Sequence, residues 1–385
     1  MGLRYISPLS ASPSAVVFAK HSLVSSIRAG PIQRAYAAVS TTHSNQSDPS
    51  GSPKLPPHLL TLADLSISQI QSLVSSAINF KKLAKQSSNN LQSIGKTKVL
   101  DGKTIAMIFS KRSTRTRVAS ESATALLGGH PMFLSPSDIQ LGVNESLYDT
   151  AKVVSSMVDG IMARVGDHEE VELLAKNSSV PVVNALSSLY HPTQILADLV
   201  TLLETFFPHS RHLSSLKGLN IAWVGDSNNI LNDMIVSYPR LGINLKIATP
   251  QNYCLDSRVM DRIKSGMHTE DDHHRGGELF HCNDPLQAIK DADVIVTDTW
   301  ISMGQESEVK KRLEDFKGFQ ITEELSQKGQ AKAGWKFMHC LPRHEQEVDN
   351  EVFYGPRSLV FPEAENRKWT ILSVFDAYFG RWSIE

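Results

Sequence analysis

From residue 60 onward the chain switches between two hydrophobic periods. "LTLADLSISQIQSLVSSAINFKKLAKQ" (60–86) sets apolar residues at helical spacing, with Asp64 or Ser66 placed to cap it. "KTIAMIFS" (103–110) is a short, continuously apolar run, the pattern of a strand covered on both faces. Similar runs recur at "GIMARV" (160–165), "PVVNAL" (181–186), "NIAWVGD" (220–226), "LKIATP" (245–250), "DVIVTDT" (293–299) and "WKFMHCLP" (335–342). Helical stretches separate nearly all of them. That alternation predicts an α/β fold of parallel, doubly wound sheets with helices on both faces.

"HPTQILADLVTLLETFF" (191–207) is apolar nearly all round, which predicts a buried helix. Pro192 suits its first position, where a missing N–H costs nothing. Its place in mid-chain makes it the expected hinge between two domains. The 385 residues, 41% hydrophobic and 21% charged, also fit two domains of ordinary size. The polar stretch "TEDDHHRGG" (269–277) reads as a solvated loop, although His273 and His274 are of a metal-ligating type.

The first 47 residues hold no Asp or Glu, only the cations Arg4, Lys20, Arg28 and Arg34, and many Ser and Ala. Residues 1–53 are therefore expected to be an organelle transit peptide and linker. Their richness in Ser with sparse Arg leans toward a plastid, with the mitochondrial matrix as the alternative. Net charge is −1, which gives no electrostatic case for nucleic acid or an acidic membrane. No apolar run approaches the ~20 residues that span a bilayer. Cys254, Cys282 and Cys340 read as free thiols of a reducing compartment.

One stretch concentrates charge. "FSKRSTRTRVASESATALLGG" (109–129) crowds Lys111, Arg112, Arg115 and Arg117 into seven positions. A strand ends near Ser110, and a helix starts at Ser113, a favoured N-cap, and stops at Gly128 and Gly129. Cations at a helix start oppose its dipole, so local stability does not account for them. Backbone N–H groups, hydroxyls and Arg115 together make an anion cradle suited to phosphate.

"SxRTRxxxE" at this point resembles the carbamoyl-phosphate loop of the aspartate/ornithine carbamoyltransferase superfamily. Further matches follow in the family's order: "ARVGDH" around Arg164, "HPTQ" (191–194), "DTWISMG" (298–304) and "HCLPR" (339–343). The resemblance runs from about residue 55 to the C-terminus. "DTWISMG" with "HCLP", as well as "LGVNESLYDTAKV" (141–153) and "FPEAENRKW" (361–369), resembles the ornithine branch, plastid type.

The resemblance implies transfer of the carbamoyl group of carbamoyl phosphate to the δ-amine of ornithine. The products are citrulline and phosphate, in arginine biosynthesis. The amine attacks directly, with no metal, cofactor or covalent intermediate. The resemblance implies that Ser113, Thr114, Arg115 and Thr116 hold the phosphate. It implies that Gln140 reaches into a neighbouring subunit's site in a homotrimer, and that Arg164 spans phosphate and carbonyl oxygen. His191, Gln194, Cys340, Leu341 and Arg367 line the carbamoyl group, and Asn229, Asp298, Ser302 and Met303 grip ornithine. Cys340, Arg164 and Asp298 are its catalytic set. The implied domains are 54–190 for carbamoyl phosphate, a hinge helix 191–207, 208–350 for ornithine, and a segment 351–385 returning to the first domain.

Two departures stand out. "GDSNN" carries Ser227 where the family usually has Gly; a positive φ there would cost about 1 kcal/mol. "GDHEE" after Arg164 also differs from the family's wording. Three rival readings are weaker. A putrescine enzyme has no need of Ser302-Met303-Gly304. A dinucleotide-binding oxidoreductase lacks G-x-G-x-x-G. A phosphate sensor has no need of Asp298, Ser302, Cys340 and Arg367.

Overall fold

The computed structural model describes residues 56–86, 98–135, 145–266, 276–301 and 306–384. The expected transit peptide, Gln140, His273, His274, Ser302 and Met303 lie outside the described residues.

The first domain carries strands β1 (Thr104–Phe109), β2 (His130–Leu134), β3 (Gly160–Arg164) and β4 (Val182–Leu186). The second carries β5 (Asn220–Val224), β6 (Asn244–Ala248), β7 (Leu279–Cys282), β8 (Val294–Thr297) and β9 (Lys336–His339). The helices of the first half are α1 (Ile67–Gln86), α2 (Thr114–Leu126), α3 (Leu147–Ser155), α4 (His168–Asn177) and α5 (Pro192–Phe206). Those of the second half are α6 (Asn229–Ser237), α7 (Ser257–Gly266), α8 (Pro285–Ile289), α9 (Val309–Asp315), α10 (Glu323–Lys328), α11 (Asn350–Tyr354) and α12 (Val360–Phe375).

Both sheets are parallel, in the orders β2-β1-β3-β4 and β7-β6-β5-β8-β9. The strands that the apolar runs foretold are the inner ones, together with β4 and β9. β4 and β9 stand at sheet edges, but short bridges at Leu59 and Ser358 cover them, so they stay buried and apolar. The two strands without a sequence signal, β2 and β7, are the remaining edges. Each is short and half-exposed, so it never forms a continuous apolar run.

The caps follow the sequence. Ser66 and Gln69 exchange hydrogen bonds as a capping box, Ser66 N–H to Gln69 Oε1 at 2.9 Å and Gln69 N–H to Ser66 Oγ at 3.2 Å. That makes Ser66, not Asp64, the cap of α1. Ser113 caps α2 by accepting from Thr116 N–H at 3.3 Å, and Gly128 ends the turn at φ +86°. In α5 every residue from Pro192 to Leu203 is buried. α12 leaves the second domain and packs against α1, α2 and α5; its π-helical continuation (Asp376–Arg381) carries Phe379 over Gly160.

Candidate active site

The N-terminus of α2, the end of β3, the start of α5 and the middle of α12 converge. Thr116 is buried and its Oγ1 accepts from Arg367 Nη2 at 3.2 Å. Arg115 reaches across to donate to the Leu341 carbonyl. Leu341 sits at φ +64°, an uncommon conformation for a side-chain-bearing residue, which fixes where that carbonyl points. The crowd of cations separates here: Arg117 turns outward to Glu121 at 2.8 Å and lies over the Phe133 ring, leaving Arg115 for the cleft.

Arg164 is the last residue of β3, opposite Phe109, and is buried. Burial, then the nearby Arg115 charge, brings its guanidinium down to about 10, as burial does for Arg367. Nε of Arg164 and Nε of Arg367 are both buried without a hydrogen-bond partner among the described residues. Buried donors are normally satisfied, so two orphaned N–H groups on guanidinium groups that feel each other's charge mark a place for an acceptor-rich anion. His191 is held well below the ordinary imidazole range by burial and then by Arg367, Arg164 and Arg115, so it is neutral.

Behind this surface lies a buried acid pair. Gln194 Nε2 donates to Asp198 Oδ1 at 2.9 Å and to Glu363 Oε1 at 2.7 Å, while its Oε1 accepts from Arg367 Nη1 at 2.6 Å. Both amide hydrogens are therefore used, and Gln194 has only its oxygen to offer a ligand. Arg367 also donates to Thr193 Oγ1 at 3.3 Å.

The second-domain cluster stands just past two neighbouring strands. Asp298 follows β8 and Cys340 follows β9, and the Cys340 Sγ–H donates to Asp298 Oδ1 at 3.1 Å. Asp298 also accepts from Thr299 N–H and from Asn228 Nδ2, each at 2.8 Å. Burial pushes the Cys340 thiol well above its ordinary value, with Asp298 adding to it. The thiol is thus a protonated hydrogen-bond donor. Asn229 donates instead to the Ser187 carbonyl at 2.7 Å, which joins α6 to the first domain. Ser227 is not among the residues with positive φ; Gly225, at φ +156°, takes the turn, so Ser227 carries no backbone penalty.

Ligand atoms of Asp298, His339 and Cys340 lie within 4.8 Å of one another, a grouping that could hold a metal. Its chemistry does not fit. His339 Nδ1 accepts from Leu341 N–H at 2.8 Å and Nε2 faces Glu347 at 3.3 Å, so neither ring nitrogen is free.

Five neighbours of the site had no place in the sequence reading. Asn228 stands beside a chosen asparagine. Asp198 and Glu363 lie four residues from Gln194 and Arg367 on their own helices, a spacing that could have revealed them. Asp226 and Arg312 form a buried ion pair, and Arg312 also donates to the Trp300 carbonyl. Nothing in the sequence links these two, 86 residues apart.

Two family models match. "Aspartate/ornithine carbamoyltransferase, carbamoyl-P binding domain" covers residues 57–204, and its "Asp/Orn binding domain" covers residues 217–378. A protein named "Ornithine carbamoyltransferase, mitochondrial" from Emericella nidulans is 54% identical over 341 residues, 88% of this chain and 93% of that one. The crystal structure of a mitochondrial ornithine carbamoyltransferase from Coccidioides immitis is similar with a TM-score of 0.76 at 49% identity, covering 85% of this chain and 98% of that one. The ornithine carbamoyltransferase of Pyrococcus furiosus gives 0.75 at 40% identity, over 85% and 98%.

Proposed function

The chain belongs to the aspartate/ornithine carbamoyltransferase family, and we propose that it is an ornithine carbamoyltransferase, making citrulline and phosphate in arginine biosynthesis. The observation that carries this reading is the pair of buried, unpartnered guanidinium donors of Arg164 and Arg367, the latter bonded to Thr116 on the first turn of α2 and both within electrostatic reach of Cys340.

The phosphate lies on the first turn of α2, held by Ser113, Thr114, Arg115 and Thr116, with Gln140 supplied by a neighbouring subunit of a homotrimer. Arg164 takes both a phosphate and the carbonyl oxygen. His191, being neutral, donates one hydrogen bond to the carbamoyl oxygen without adding charge. Gln194 Oε1 and the Leu341 carbonyl accept from the carbamoyl amide. Leu341 becomes available when Arg115 transfers from it to the phosphate. Asn229, Asp298, Ser302 and Met303 hold the α-amino and α-carboxylate ends of ornithine, with Cys340 between the two subsites. The neutral δ-amine attacks the carbonyl carbon and a C–N bond forms. The oxyanion is met by guanidinium and N–H donors; the C–O bond to phosphate then breaks, and phosphate leaves with the electron pair and takes up the proton that the attacking nitrogen gives up. Positioned charge supplies the rate enhancement.

We assign residues 54–190 to carbamoyl phosphate, 191–207 to the hinge, 208–350 to ornithine and 351–385 to the returning segment. The composition of residues 1–53 ranks the plastid first. The relatives from Emericella nidulans, Aspergillus terreus and Schizosaccharomyces pombe are named mitochondrial, and on that ground the mitochondrial matrix is the better supported destination. The test is citrulline formation from carbamoyl phosphate, with ornithine, putrescine and aspartate compared side by side. Activity with ornithine alone supports the reading; preference for either other amine rejects it.

A further inference from the structure

Asp198 on α5 and Glu363 on α12 are each 2% exposed and meet behind Gln194. Three N–H groups serve the pair: two from Gln194 and the backbone N–H of His339, which donates to Glu363 Oε2 at 3.0 Å. No cation bonds either acid among the described residues. Arg367, the nearest guanidinium, spends its bonds on Gln194, Thr116 and Thr193. The other groups facing the pair are Asp298, the Cys340 thiol and the Tyr238 hydroxyl, none of them cationic. Two adjacent buried charges without a bonded cation are very costly, and a single retained proton removes most of that cost.

The hydrogen bonds say which acid keeps it. Glu363 receives a fixed N–H on each oxygen, Gln194 on Oε1 and His339 on Oε2, so it is the carboxylate. Asp198 receives one N–H, on Oδ1, which leaves its Oδ2 as the oxygen to carry the shared proton. We propose that Asp198 and Glu363 share one proton, carried by Asp198, and that this half-neutralised pair is the positioning element for carbamoyl phosphate. By occupying both Gln194 hydrogens it turns the Gln194 oxygen toward the cleft and seats the Arg367 guanidinium on it. Burial raises both acids above their ordinary values, in keeping with a retained proton. This rests on the carbamoyl-phosphate reading of the site.

The test uses the full chain with Asp198→Asn, Asp198→Ala, Glu363→Gln and wild type. Asn approximates a neutral acid, with one acceptor oxygen and an NH2 group in place of the O–H. Gln at 363 must turn an NH2 against a fixed donor, either His339 N–H or Gln194 N–H. The dissociation constant for carbamoyl phosphate by calorimetry should rise at least about tenfold in Glu363→Gln, and clearly less in Asp198→Asn than in Asp198→Ala. The infrared spectrum of wild type minus that of Asp198→Asn should show a protonated-carboxyl band at about pH 8, where Asp233 has released its proton. A merely structural pair would lower the melting temperature while leaving the dissociation constant unmoved. That result, equal or inverted effects of the two amide variants, or a wild-type-minus-Asp198→Asn spectrum without the band, overturns the proposal. Absence of citrulline formation in wild type would sink the functional reading instead, and the infrared result would still decide the proton's place.

Discussion

Asp233 Oδ2 accepts the backbone N–H of His191 at 2.6 Å, so a carboxylate from the second domain holds the main chain under the site imidazole. Its other oxygen accepts from Thr61 Oγ1 at 2.8 Å and from Leu62 N–H at 3.2 Å. One helix, α6, thus carries Asn228 at its start, bonded to Asp298, and Asp233 one turn later, bonded to the hinge.

Burial outweighs those three bonds and pushes Asp233 up to about 7. Between roughly pH 4 and 7 the folded protein holds a proton that the unfolded chain has released. Stability should therefore fall as pH rises through that window, by at most ~4 kcal/mol from this group. Urea unfolding of wild type and Asp233→Asn across this range checks it: the variant should have the flatter profile. Parallel profiles would reject the assignment.

Arg115 is the cation of the "SxRTR" stretch that enters the cleft. Arg115→Ala should raise KM for carbamoyl phosphate and lower kcat, since removing a charged hydrogen-bond partner costs ~1.5–3 kcal/mol, about tenfold or more. Calorimetry on the variant measures it, and unaltered carbamoyl phosphate binding contradicts the cradle.

The attacking amine sets the pH dependence. An alkyl ammonium titrates near ~10.4, so kcat/KM for ornithine should rise about tenfold per pH unit on the acid side. Asp298, already bonded to Cys340, Thr299 and Asn228, is placed for the α-amino group. Asp298→Asn should weaken ornithine binding sharply yet keep the acid limb. Loss of that limb would assign Asp298 to the δ-proton.

Asp226 and Arg312 are buried together, and Arg312 also holds the Trp300 carbonyl just before the "SMG" stretch. Arg312→Met leaves an unpaired buried carboxylate and should cost about 3–5 kcal/mol. Asp226→Asn in the same chain should restore part of that loss. Denaturant titration of the three variants gives the coupling, and additive effects would mean the pair is not coupled.

Gly160 opens β3, and a Cβ there would stand 2.4 Å from Phe379 Cδ1. Phe379 is fully buried. Gly160→Ala should destabilise the fold by roughly 1–3 kcal/mol through overpacking. The double variant Gly160→Ala with Phe379→Leu should recover stability; no recovery would place the strain elsewhere.

Inner strands announced themselves because burial on both faces demands an unbroken apolar run. β2 and β7 did not, since an uncovered edge tolerates residues such as His130 and His281. The proposed phosphate cradle was legible because its parts are consecutive: cap, hydroxyls, Arg115 and helix N-terminus occupy one short stretch.

The chain order by itself singled out the residues proposed to carry the chemistry, through local patterns of spacing and charge and their family resemblance. Only the tertiary structure decided what each does to its neighbours. Arg164, His191 and Arg367 are far apart in sequence, and burial next to one another makes the imidazole neutral and lowers the guanidinium values. Asp198 and Glu363 lie 165 positions apart, and Gln194 presents its oxygen to Arg367 while both of its hydrogens go to the two acids. Hydrogen-bond direction and desolvation are set by what surrounds a group in three dimensions, and no stretch of sequence holds that information alone.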